Sequence, residues 1–398
     1  MTTSPDPHGA SPTDDGSSLP VLDADPVVDA DPGGDRLSGS DLVDWELAAS
    51  AARRLVPPGP RAGRAEIAQL VAELRSAGER AVDPVATTAR LHTPPGTPPA
   101  LVVDRPGWIS ANAASMGAML APVLDDVVAR KRTADRARAR ARGKELAEVG
   151  PTAQRIGSTI TGTEVAGMLS WISTKVLGQY DLAPQGTPRL MFVAPNILAA
   201  ERELEVDAGD FRLWVAMHEE THRVQFTAVP WLRGHLIEQA RSVGARMMPE
   251  PDQLSQRLGE IVTQIPGVLR GDTDITQVLA TPEQRERLAE VTAVMSLLEG
   301  HADVVMDEVG PSVIPTVATI RARFTERRKG AGGVDKILRR LLGMEAKMRQ
   351  YRDGAVFVRA VMDEVGVDGF NAVWTSPQTL PRPTEIAEPQ AWVARVHG

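Results

Sequence analysis

The sequence predicts a mainly helical α+β fold in which a small sheet lies beside one helix. Three observations carry this. Most of the chain beyond residue 38 reads as helices separated by Pro and Gly. One short apolar run, Arg189 to Ala194, is bounded by Pro188 and Pro195 and has the length of a strand. His218-Glu219-Glu220-Thr221-His222 falls inside a helical stretch, Phe211 to Thr227, with strong apolar flanks.

Residues 1–38 are rich in Asp, Pro, Gly and Ser and hold few large apolar residues. Such a segment cannot bury enough surface to offset its ordering entropy, so it reads as a disordered acidic tail. One domain then spans 39–398, with a helical N-terminal part, 39–150, and a catalytic part, 151–398. Asp41 is placed as N-cap of a helix Leu42 to Leu55, which Pro57, Pro58 and Pro60 stop. A second helix runs Ala65 to Val82, and Thr93 to Pro99 forms a stiff Pro-rich linker. Arg105-Pro106-Gly107-Trp108 opens a mostly helical region. The basic run Arg130 to Lys144 reads as a solvated helical face, because no aromatics interleave to stack on bases.

A helix is expected from Gly162 to Gly178, with Met168, Leu169, Trp171, Ile172 and Val176 as its buried candidates. In the motif helix, Leu213, Trp214, Met217, Val224 and Phe226 are the anchors, and Pro230 closes it. Gln284 to Val309 is a long helix stopped by Gly310 and Pro311. Val334 to Val365 is helical with an interruption near Gly354. The end, Asn371 to Gly398, is Pro-rich but carries Trp374, Leu380, Ile386, Trp392 and Val396, which suggests an extended strap pinned on the core.

Composition bounds the chemistry. Hydrophobic residues are 42% of the 398, enough for a full core, but aromatics are only 4%, so Leu, Val, Ala and Met must fill it. The formal net charge of -8 argues against nucleic acid as the main partner. There are no cysteines, which excludes disulfides, thiolate zinc sites and iron–sulfur clusters. The N-terminal stretch lacks the pattern of a secretory signal, and no span is apolar enough for a bilayer, so a cytoplasmic protein is expected.

On a helix, His218 and His222 share one face and can point at a single metal ion. Glu219 projects near the same point, where it could take a proton from a water the metal activates. A catalytic zinc needs a third protein ligand and one open position. The residues after His222, Arg223 to Leu232, hold no further His, so that ligand must come from elsewhere. Glu299 is the best candidate. It sits mid-helix after the apolar stretch Val291 to Leu298, where a carboxylate is costly unless paired or metal-bound. Gly300 beside it costs up to about 1 kcal/mol relative to Ala, which makes sense if another helix approaches closely. Asp303, one turn on, could orient a metal-bound imidazole, with His218 the expected partner. For both carboxylates the competing reading is a buried ion pair with an Arg.

His301 is the rival third ligand, but it lies two residues from Glu299 on roughly the opposite helical face, a poor placement for both to reach one ion. It reads as a hydrogen-bonding residue of the site or as structural packing. Tyr351, Arg352 and His301 are the candidates for contacting the transition state or substrate. The expected cofactor is zinc and the expected substrate a peptide or amide. The competing expectation is a catalytically silent, zinc-stabilised scaffold that binds a protein partner.

Several segments occur in order that resemble an actinobacterial zincin-like family, catalogued as candidate hydrolases associated with deazaflavin-coenzyme biosynthesis. They are Val43-Asp44-Trp45, Asp104 to Trp108, Val176 to Asp181, Phe192 to Asn196, His218 to His222, Glu299 to Asp303, and the Trp374 to Trp392 strap. The resemblance implies a mostly helical zincin-like metallopeptidase core of gluzincin type. It also implies His218, His222 and Glu299 as zinc ligands and Glu219 as general base.

Overall fold

The structure is a computed structural model, and it describes residues 42–143, 151–247, 281–329 and 344–398. Side chains are described for all of these except 131, 151–160, 246–247, 327–329 and 344–352. The expected acidic tail and residues 334–343 of the expected Val334 to Val365 helix therefore lie outside the described residues.

Helix α1 (Trp45–Leu55) begins at Asp44, whose side chain accepts from the Leu47 amide at 2.8 Å. Asp44 thus takes the capping role expected of Asp41. Helix α2 (Arg64–Ala89) runs a further two turns past Val82, carrying Pro84 inside it. Its buried face is Leu70, Leu74, Ala77, Ala81, Val85 and Ala89, a helical stripe half of alanine. Strand β1 (Leu101–Val103) follows, then the long helix α3 (Arg105–Ala141), capped by Asp104 accepting from Gly107 N at 2.7 Å. Helix α4 (Pro151–Ser173) ends five residues short of the expected Gly178, and strand β2 (Gly178–Asp181) follows. Strand β3 (Arg189–Val193) and helix α5 (Ala194–Leu204) come next.

The sheet has three strands in the order β1-β3-β2. β1 pairs with β3 in parallel, Leu101 to Val103 against Met191 to Val193, and β2 pairs with β3 antiparallel, Gly178 against Phe192 and Asp181 against Arg189. Leu190, Met191, Phe192 and Val193 are all buried, so β3 reads as a continuous apolar run because both of its faces are covered. β2 lacks that signature because its polar side chains make specific bonds. Gln179 accepts from Trp108 Nε1 at 2.7 Å, and buried Asp181 accepts from Ser115 Oγ at 2.7 Å and Arg189 Nε at 3.1 Å. β3 is therefore central, and β2 is the edge strand beside the motif helix.

That helix, α6 (Ala208–Ala228), is buried on nearly every side. α2 packs along it, and the bidentate pair Arg212–Glu201, at 2.9 and 2.6 Å, ties it to α5. Pro230 ends α6 and also opens helix α7 (Pro230–Met247), where its missing amide proton is harmless. Helix α8 (Pro282–Val309) is held at its start by a reciprocal capping box between Thr281 and Gln284. Helix α9 (Val317–Lys329) and helix α10 (Met344–Phe370) follow. α10 does not break at Gly354. Its non-helical residue is Gly366, with φ 72° and ψ 175°, a conformation that favours glycine.

Gly354 instead serves close packing. A Cβ on Gly300 would fall 2.2 Å from Gly354 C, and one on Gly354 would fall 1.9 Å from Ser296 O. α8 and α10 thus touch backbone to backbone, as the cost of Gly300 suggested. The C-terminal segment is not an extended strap. It folds into two 3-10 turns, Asn371–Trp374 and Pro377–Thr379, and two short helices, α11 (Pro383–Ala387) and α12 (Pro389–His397). Its expected anchors Trp374, Leu380, Ile386 and Trp392 are buried in a core shared with α8 and α10. Among the described residues, no helix is long and apolar enough to cross a membrane.

Candidate metal centre

Asp207 caps α6 by accepting from the Asp210 amide at 2.9 Å, and the buried apolar flanks fix the helix's rotation. His218 and His222 then face α8, whose Glu299 approaches from the opposite side. His218 Nε2 and His222 Nε2 are 3.2 Å apart, and Glu299 Oε2 lies 3.5 Å from the first and 3.8 Å from the second. Around an ion with bonds of about 2.0–2.1 Å, tetrahedrally arranged ligand atoms sit roughly 3.3–3.4 Å apart. Three such atoms at nearly that spacing fit a zinc ion and leave the fourth position free. Among the described residues, this is the group of His, Asp and Glu side chains that could hold a metal.

The hydrogen bonds behind the rings support the same reading. Gln225 Nε2 faces the Leu298 carbonyl oxygen at 2.9 Å, and a carbonyl can only accept. That fixes the amide orientation and turns Gln225 Oε1 toward His222 Nδ1 at 3.0 Å. His222 Nδ1 must then carry the proton, which leaves its Nε2 lone pair pointing into the centre. His218 Nδ1 lies 3.3 Å from Met306 Sδ, a weak acceptor.

The centre calls for positive charge. Burial opposes a charged His218 ring, but its bond to Glu299 and the charges of Glu219, Glu299 and Asp303 carry its pKa up to about 9. Burial holds His222 below its ordinary value, against the charge of Glu299.

Glu219 is 6% exposed and sits at the junction of α6 and β2. Burial pushes its carboxyl up to about 7, with the His218 charge pulling it down and the Glu299 charge pushing it up. A Cβ on Gly178 would fall 2.5 Å from Glu219 Cγ and 2.7 Å from its Oε1, so glycine lets the edge strand lie against this carboxyl. A cavity of about 170 Å³ opens beside His218 and Glu219, walled by Leu177, Trp214 and Phe324 with Asp303 and Arg321.

The structure thus brings together His218, Glu219, His222 and Glu299, with Asp303 in the adjoining cavity. Asp303 acts on both imidazoles through its charge, while the atom facing His218 Nδ1 is the Met306 sulfur. His301 is not among the side chains that converge at the centre. It is fully buried, its Nδ1 lies 3.0 Å from Gln225 Nε2, and Phe370 and Trp374 pack against its ring. Burial, then the His222 charge, drives its pKa down to about 3, so it stays neutral. The side chains of Tyr351 and Arg352 lie outside the described residues. Sequence reasoning missed Gln225, Gly178 and Met306. Gln225 had a legible signal, a polar residue between apolar Val224 and Phe226, one turn beyond His222. Gly178 had none, since β2 itself was not foreseen.

A family profile described as zincin-like metallopeptidase matches residues 43–393. Among solved structures, one from Chloroflexus aurantiacus, described as a candidate hydrolase with a novel fold, is similar to this chain. It superposes with a TM-score of 0.61 at 27% identity, over 89% of this chain and 98% of its own. No curated protein matches.

Proposed function

The chain belongs to the zincin-like metallopeptidase family, and from that premise we propose that it is a zinc-dependent hydrolase of peptide or amide bonds. The observation that carries this reading is the convergence of two imidazole nitrogens and a carboxylate oxygen, 3.2 to 3.8 Å apart, next to a buried carboxyl and an open cavity. His218, His222 and Glu299 would hold the zinc. When bound, the ion supplies Lewis acidity to the attacking water and the scissile carbonyl.

The remaining work falls to this chain's own groups. Glu219 accepts a proton from water through a carboxylate oxygen as the water oxygen bonds to the carbonyl carbon. It returns that proton to the nitrogen as the carbon–nitrogen bond breaks. The edge of β2 beside Glu219 offers backbone groups with which an extended peptide could pair. Leu177, Trp214 and Phe324 exclude water from one side of the reacting groups.

The test is metal analysis together with a peptide-library cleavage assay. Wild type should carry one zinc per chain and cleave library members. Glu219→Gln should keep the zinc and lose cleavage, and His222→Ala should lose both. A wild type that binds no stoichiometric metal would overturn the reading. Zinc without cleavage would favour a metal-stabilised scaffold instead.

A further inference from the structure

We infer that Gln225 is the positioning residue of the metal centre, a single amide that sets the His222 ring and locks the two ligand-bearing helices in register. The inference rests on the metal reading above and adds a residue to it. The His-Glu-x-x-His pattern places His222 on α6, and Glu299 comes from α8. Nothing in either helix alone sets their relative position to a fraction of an ångström.

Gln225 spans the gap with every polar atom of its side chain. Oε1 accepts from His222 Nδ1 at 3.0 Å. Nε2 donates to Leu298 O at 2.9 Å and to His301 Nδ1 at 3.0 Å. An amide nitrogen has two protons, and both are used. The two α8 partners bracket Glu299, one immediately before it and one two residues after. One side chain therefore holds a ligand on its own helix and the turn carrying a ligand on the other.

His301 completes the device as a backstop. It is fully buried, and its Nε2 has no hydrogen-bond partner among the described residues. A buried polar atom left so is costly, and here the cost accompanies a fixed tautomer. With Nδ1 accepting from Gln225, the proton sits on Nε2, and the rings of Phe370 and Trp374 pack on the imidazole. Those rings keep the imidazole from turning and keep water away from the amide.

The experiment measures zinc dissociation constants by chelator competition for wild type, Gln225→Leu, His301→Phe and a control, Val361→Ala. Val361 is fully buried in α10 and is none of the residues of the centre named above, so its truncation reports general loosening of the core. Gln225→Leu should weaken zinc by about 10–100-fold, the usual effect of removing the group that orients a ligand imidazole. His301→Phe should weaken it less, and Val361→Ala should leave it unchanged even where its thermal midpoint falls as far. In the metal-free protein, the nitrogen resonances of His222 should move from the Nδ1-protonated form in wild type toward a tautomer mixture in Gln225→Leu. Equal zinc affinity in wild type and Gln225→Leu, or equal losses in Gln225→Leu and Val361→Ala, would overturn the inference while leaving the metal site standing. Wild type that binds no zinc would instead remove the site reading itself.

Discussion

Gly178 and Glu219 are in van der Waals contact in a way that only glycine permits: a Cβ at Gly178 would stand 2.5 Å from Glu219 Cγ and 2.6 Å from its Cδ. The edge strand is therefore pressed against the proposed proton-transfer group. Gly178→Ala should push the Glu219 carboxyl from its place without touching a proposed metal ligand. Zinc content is expected to stay at the wild-type level while cleavage of library peptides falls by roughly 10²-fold or more, the lower end of what a general base supplies. Full activity in this variant would show that Glu219 has room to adapt.

The helix crossing of α8 and α10 makes two glycines differ in kind from a third. Gly234 on α7 is exposed, and a Cβ there would meet nothing within 4 Å. Gly234→Ala should stabilise by about 0.5–1 kcal/mol through helix propensity alone. Gly300→Ala would drive a Cβ to 2.2 Å from the Gly354 backbone, and should destabilise by about 3 kcal/mol or more as the helices separate. Thermal denaturation of both variants decides this, since equal shifts would mean the crossing is loose.

The pattern of successes and misses has a physical cause. Helix α6, helix α8 and strand β3 were legible because each carries a full apolar face or run whose period survives in the sequence. His218, Glu219 and His222 were legible because one helix sets their spacing. Glu299 could be singled out because a carboxylate amid Val291 to Leu298 demands a partner. β2 was not legible, because Gln179 and Asp181 hold their places through side-chain bonds, to Trp108 and Asn112 and to Ser115 and Arg189, that no local periodicity records. The C-terminal segment was misread as extended because its prolines, Pro377, Pro383 and Pro389, sit in first turns, where they start short helices rather than prevent them.

Asn196 links the sheet to the site at a distance. It is buried, accepts from Arg105 Nε at 2.7 Å, and donates to Ser173 O at 2.7 Å and Val176 O at 2.6 Å. The same guanidinium donates to Pro57 O at 2.8 Å and Pro58 O at 3.0 Å. Asn196→Ala would leave two carbonyls and one guanidinium donor short of a partner just before β2. A loss of about 2–4 kcal/mol is expected in denaturant titration. Cleavage should fall as well, because Val176 leads directly into Gly178. A loss under about 0.5 kcal/mol would mean that water replaces the amide without cost.

The C-terminal helices should contribute an acid-sensitive component of stability. Glu385 accepts from Arg395 Nε at 2.7 Å, Arg395 Nη2 at 2.8 Å and the Arg382 amide at 2.8 Å. Burial alone would raise its pKa, but the Arg395 hydrogen bonds, the Arg382 amide and the charges of both arginines outweigh it and hold the carboxyl below its ordinary value. A carboxyl whose folded pKa is depressed favours the folded state above its unfolded pKa. That contribution fades as pH falls through the ordinary carboxylate range toward the folded pKa. Glu385→Gln should therefore cost about 1–3 kcal/mol near neutral pH. Its thermal midpoint should also decline less steeply than that of wild type below about pH 5, so that the two curves converge in acid. Curves that stay parallel down to about pH 3 would show that the Glu385–Arg395 pair leaves stability untouched by its ionisation.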